Sequence, residues 1–108
     1  MTNLNEQKCV PCSIGAEPLN HIEIENYLKS LSEGWTNLED KKIEKTFKFK
    51  DFKSALDFTN AVGGIAEEEG HHPNISLGWG YVKITLSTHK IKGLHLNDFI
   101  LASKIDKI

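Results

Sequence analysis

From Ile43 to Phe49 the chain alternates, with Ile43, Lys45, Phe47 and Phe49 on one side and Glu44, Thr46, Lys48 and Lys50 on the other. At Phe52 the period changes. Phe52, Ala55, Leu56, Thr59, Val62, Gly63 and Ala66 form one helical stripe, with Phe58, Ala61 and Ile65 beside it. After Pro73 the alternation returns in Ile75, Leu77 and Trp79. It continues with Val82, Ile84 and Leu86 set against Tyr81, Lys83, Thr85, Ser87 and His89. A repeat of two is a half-buried strand and a repeat of about 3.6 is an amphipathic helix. A strand, a long helix and two more strands in succession restrict the chain to a sheet covered by helices. Lys45 is the one mismatch on the buried side of the first pattern.

The flanks extend this order. Asn20 with Glu23 three residues on is a capping-box pattern, followed by Ile24, Tyr27, Leu28 and Leu31 at helical spacing, and Gly34 suits a helix stop. Trp35 to Leu38 reads as a short strand turned by Glu39-Asp40-Lys41, and a last helix is expected from about Asn97 with Leu101, Ile105 and Ile108 on one side. The expected fold is α+β in the order α-β-β-α-β-β-α, a four-stranded antiparallel sheet with helices packed on one face. At 108 residues, a single domain over 1–108 is expected, with 1–18 an irregular arm. The wide apolar surface of the Phe52–Ala66 helix fits either contact with another subunit or a broad contact within one core.

Composition narrows the function by exclusion. A net charge of −2 carries no footprint for nucleic acid or an anionic membrane, and no apolar run approaches a membrane span. The opening MTNLNEQK lacks a secretory signal pattern, so a cytoplasmic location is expected. Cys9 and Cys12, in CVPC, fit free thiols of a reducing compartment.

The stretch EEEGHHP, Glu67 to Pro73, sets two of the five histidines side by side. Pro73 disfavours helical angles at His72, so the long helix should end there or earlier. The negative end of the helix dipole then favours the imidazolium form, which suits a general acid. If the helix runs through His71, Glu67 lies four residues back and can accept a hydrogen bond from its ring. If Gly70 breaks the helix, that pairing lapses. Glu68 and Glu69 read as a solvated helix end. Taken alone, the pair reads as two surface histidines more readily than as a site. His89 changes the weighing, because a hairpin from the helix end can return it beside them, ahead of a loop running to Gly93. Zinc held by Cys9, Cys12 and the histidines ranks lower, since adjacent histidines make an awkward ligand couple.

The run from Glu67 to Asp106 resembles the signature region of the pterin-4a-carbinolamine dehydratase family. It carries an acidic residue four before a His-His-Pro, an aromatic-bearing strand, a Thr-His, a Gly-Leu and an Asp. Here those are Glu67, His71-His72-Pro73, Trp79, Thr88-His89, Gly93-Leu94 and Asp98. CVPC, Glu17-Pro18-Leu19 and Gly34-Trp35 are similar to bacterial-type members, so the resemblance covers nearly the whole chain.

The resemblance implies dehydration of 4a-hydroxytetrahydrobiopterin to quinonoid dihydrobiopterin, the recycling step after aromatic amino-acid hydroxylation. It implies a pterin substrate, a homo-oligomer (dimer or tetramer), a functional link to an aromatic amino-acid hydroxylase, and no metal or bound cofactor. Carried over by position, His71 and His89 are the catalytic pair, His72, Pro73, Trp79 and Thr88 bind substrate, and Glu67 and Asp98 orient the histidines. Animal members also act as dimerisation partners of a transcription factor, so a non-catalytic protein-binding module using the helical face is the alternative. Three positions depart from the pattern. His95 stands where members carry a capping Ser or Thr, so Asn97 is expected to cap the last helix. Ile75 occupies a position that is aromatic in animal members, and Trp79 takes the place of their Tyr.

Overall fold

The computed structural model describes residues 4–7, 9 and 17–108; Cys12 and much of the arm lie outside the described residues. The ordered elements are α1 (His21–Leu28), β1 (Thr36–Leu38), β2 (Lys42–Lys48), α2 (Phe52–Glu69), β3 (Asn74–Gly78), β4 (Tyr81–Leu86) and α3 (Leu96–Ile105). Short 3-10 turns cover Leu4–Glu6 and His89–Ile91. The expected α+β order is therefore the observed one.

The strands lie in the order β1-β2-β4-β3, each neighbour antiparallel. Register follows from the apolar alternation: Ile43 faces Leu86 and Phe47 faces Val82 across the central pair. A shift of one residue would turn every one of these side chains to the other face of the sheet. Ile43, Val82, Ile84 and Leu86 are buried with Val62 of α2 and Phe99, Leu101 and Ile105 of α3. The rings of Phe47 and Phe49 stand 4.7 and 5.0 Å from that of Phe58, so the second stripe of α2 is partly spent within the core. Phe52 and Leu56 stay exposed.

Local chemistry moves several boundaries. Asn20 caps α1 through a reciprocal capping box with Glu23, as its spacing predicts. The helix ends at Leu28, however, well before Gly34, whose φ of 109° instead serves the entry into β1. The β4 strand ends at Leu86 rather than reaching His89, because Thr88 and Gly93 bridge to close a 3-10 turn between them. Trp79 belongs to no strand. It sits 71% exposed in the β3–β4 turn, where Gly78 packs against the Tyr81 ring with no room for a side chain.

Lys45, the mismatch, has a partner that only the tertiary fold supplies. Its Nζ lies 2.9 Å from Asp106 Oδ1 and over the Phe47 ring. The other carboxylate oxygen of Asp106 accepts from Trp35 Nε1 at 2.9 Å and from the Ser32 N–H at 3.1 Å. A cation on the buried side is tolerable when paired and hydrogen-bonded in this way. The pair ties the sheet to the end of α3.

Candidate active site

The site begins where α2 ends. Gly70 takes the left-handed conformation at φ 65°, and both its N–H and that of His71 return to the Ala66 carbonyl. This termination rotates the next two side chains out of helical phase. His71 turns inward, with its side chain 14% exposed, and His72 outward, at 60%.

Each histidine meets a carboxylate. His71 Nε2 lies 2.6 Å from Asp98 Oδ1, and Asp98 is completely buried. Its Oδ2 accepts from Thr88 Oγ1 at 2.8 Å and from the His95 N–H at 3.0 Å. His72 Nε2 lies 2.6 Å from Glu67 Oε2 at the surface. Glu67 thus pairs with His72 and not with His71, because Gly70 interrupts the i, i+4 relationship. Asp98, set into the first turn of α3, takes His71 instead. The cap of that helix is His95 itself, whose Nδ1 accepts the Asn97 N–H at 3.0 Å, so the expected capping by Asn97 is corrected.

An open cleft of about 690 Å³ brings together His71, His72, Thr88 and His89, with Glu67 and Lys90 also on its lining. His89 opens the 3-10 turn that follows β4 and is exposed to the cleft. Pro73 and Trp79 are not among the lining residues. Pro73 leads into β3, whose Asn74 pairs with Thr85 at the site end of the hairpin, whereas Trp79 sits past the Gly78–Tyr81 pair at the opposite end. Among the described residues no group of three or more His, Cys, Asp or Glu side chains is spaced to hold a metal ion.

One acid read from sequence as solvated is not. The Glu69 side chain is 5% exposed; Oε1 accepts the Cys9 N–H at 2.8 Å and Oε2 stands 3.8 Å from Lys104 Nζ. Cys9 also lines the cleft, its thiol donating to the Asn97 carbonyl at 3.6 Å. Burial, with the Glu69 charge beside it, pushes the Cys9 thiol up to about 12, so the sulfur stays protonated at neutral pH. Nothing in the local sequence distinguishes Glu69 from Glu68. The difference comes from what packs against the helix end.

The chemistry available is proton exchange. With Nε2 of His71 engaged by Asp98, the Nδ1 atom is left to take or give a proton. His89 supplies a second imidazole in the same cleft.

Fold and cleft together define an α+β domain with two histidine–carboxylate pairs beside an open cleft. Residues 17–108 match the family model described as pterin 4 alpha carbinolamine dehydratase, and the chain belongs to that family, an enzyme family of dehydratases. A relative from Alkaliphilus metalliredigens, provisionally named a pterin-4-alpha-carbinolamine dehydratase, is 54% identical over 99% of this chain and 96% of its own. One from Rubrobacter xylanophilus with the same provisional name is 44% identical over the whole of both chains. Among solved structures, the transcriptional coactivator/pterin dehydratase from Brucella melitensis superposes with a TM-score of 0.78 at 32% identity, covering 84% of this chain and 97% of that one. A pterin dehydratase-like protein described as a RuBisCO assembly factor in the alpha-carboxysome gives a TM-score of 0.60 at 27% identity, over 69% of this chain and 88% of that one. Among the described residues no helix is long and apolar enough to cross a membrane.

Proposed function

We propose that the chain dehydrates 4a-hydroxytetrahydrobiopterin to quinonoid dihydrobiopterin and water by histidine acid/base catalysis. His71 Nδ1–H protonates the 4a-hydroxyl as the C4a–O bond breaks and its electron pair leaves with oxygen. The N5 lone pair forms the C4a=N5 double bond, and His89 takes the N5 proton. One proton enters and one leaves, so the pair needs only a return of His89 and His71 to their starting states through water. His72 orients the pterin from the rim, Glu67 orients His72, and Thr88 acts through Asp98. Pro73 sets the chain direction beside the cleft. Trp79 is the carried-over binding residue with least support, since it stands outside the cleft formed by this chain.

The observation that carries this reading is the His71–Asp98–Thr88 chain opening onto the cleft that His89 shares. The family and the names of the relatives supply the substrate class. The reaction fits a cytoplasmic recycling step that serves an aromatic amino-acid hydroxylase. The test is a spectrophotometric assay with freshly generated 4a-hydroxytetrahydropterin. His71→Ala and His89→Ala should each abolish catalysis while circular dichroism stays native. Activity surviving both substitutions overturns the reading.

A second role, protein binding through the helical face, is favoured by the exposure of Phe52 and Leu56 on α2. Self-association into a dimer or tetramer is the form we infer for it. Light scattering at micromolar concentration checks this, and a monomer there contradicts it.

A further inference from the structure

Of the described residues that precede the family match, Asn5 and Cys9 are held by α3 and by the end of α2, and Cys9 reaches the site. Glu69 closes α2, and a carboxylate there opposes the negative end of the helix dipole. Its neighbour Glu68 remains exposed, yet the Glu69 side chain is 5% exposed. A buried acid is costly unless its oxygens are engaged. Both are engaged here: one accepts the Cys9 N–H at 2.8 Å and the other faces Lys104 at 3.8 Å. Lys104 in turn donates to the Asn5 carbonyl at 3.0 Å, and Leu4 packs on the hydrophobic core. The Cys9 thiol donates to the carbonyl of Asn97, the residue before the Asp98 that holds His71. Cys9 is thereby fixed on the lining of the cleft, alongside His71 and Thr88.

We propose that Cys9 is a wall of the pterin cleft and touches the bound ring, and that Glu69 and Lys104 are the residues that position it. This rests on the pterin-dehydratase reading of the same cleft. A protonated sulfur already donating to Asn97 presents a neutral, polarizable surface, which suits the face or edge of a flat heterocycle. The wall takes no part in proton transfer. It sets how closely the substrate is enclosed, so its loss acts on binding.

The test combines steady-state dehydration kinetics with equilibrium binding of 7,8-dihydrobiopterin, followed by fluorescence, on the full chain. Glu69→Ala should raise KM and the dihydrobiopterin Kd about tenfold while kcat stays within about twofold. Glu69→Gln keeps an oxygen for the Cys9 N–H and should recover most of that loss. Cys9→Ala, which leaves every anchor on the arm backbone in place, should weaken binding about threefold. Unchanged Kd in both Glu69→Ala and Cys9→Ala overturns the wall. So does a fall in kcat at constant KM. Wild-type protein that binds dihydrobiopterin but turns over no carbinolamine overturns the catalytic reading alone, and the Kd comparison still decides on the wall. Wild-type protein that binds no pterin overturns both.

Discussion

Asp98 holds His71 from a fully buried position, Oδ1 to Nε2 at 2.6 Å, while its other oxygen is held by Thr88 Oγ1 and the His95 N–H. One carboxylate thus joins the end of α2, the turn after β4 and the start of α3. It orients the proposed acid and closes the cap of a helix at once.

Asp98→Asn should separate these duties. The amide can still accept the Thr88 and His95 donors but cannot balance a charged His71. Activity should fall about 10²- to 10⁴-fold, the range expected when acid/base catalysis is disabled. Asp98→Ala should show the same loss and also destabilise the fold by about 1–3 kcal/mol, since buried donors lose their acceptor. Urea unfolding beside the kinetic assay checks both.

Thr88→Val removes one donor to Asp98 without changing side-chain volume much. Stability should drop by about 1 kcal/mol, and kcat should fall more than KM changes, because Asp98 acts on His71 and not on the resting substrate. A pure KM effect would show that Thr88 touches the pterin directly.

The Lys45–Asp106 pair is a structural tie, remote from the cleft. Lys45→Met leaves Asp106 charged and nearly buried, so it should cost about 3 kcal/mol or more. The double substitution Lys45→Met/Asp106→Leu should recover part of that cost, although Trp35 Nε1 and the Ser32 N–H then lose their acceptor. Thermal unfolding of the single and double variants measures this coupling.

His21 provides a pH-dependent contribution. Its hydrogen bond to Asp40, at 2.8 Å, and the Asp40 charge raise it above the ordinary histidine value. A raised folded-state value means the stabilisation is fully present below the unfolded value of about 6.5 and disappears as pH climbs through the folded one. The stability difference between wild type and His21→Ala should therefore be largest in mild acid and vanish at alkaline pH. Proton NMR should place the His21 midpoint higher in wild type than in Asp40→Asn.

Cys9 should be chemically quiet. In a Cys12→Ser background, a thiol held near 12 leaves a thiolate fraction at pH 8 on the order of one in 10⁴. Labelling by a disulfide reagent should then be at least about 40-fold slower than for an unstructured thiol. Labelling as fast as that of a free thiol would contradict the anchoring of Cys9.

By itself the sequence determined the order of elements and the buried face of the central strands. Both depend on periodicity, and a repeat of two or 3.6 survives any detail of packing. It determined the capping box at Asn20 for the same reason, because that signal is local. The stretch from Glu67 to Pro73 pointed to a candidate site only together with His89 and the family resemblance. Only the tertiary structure decided who pairs with whom. Gly70 took the left-handed turn that separated Glu67 from His71, Asp98 arrived from 27 residues away to replace it, and His95 capped its own helix. Lys45 and Glu69 needed Asp106 and Lys104, 61 and 35 positions on, to become tolerable in buried places. A buried charge is specified by its partner, and partners brought together by folding leave no periodic trace along the chain.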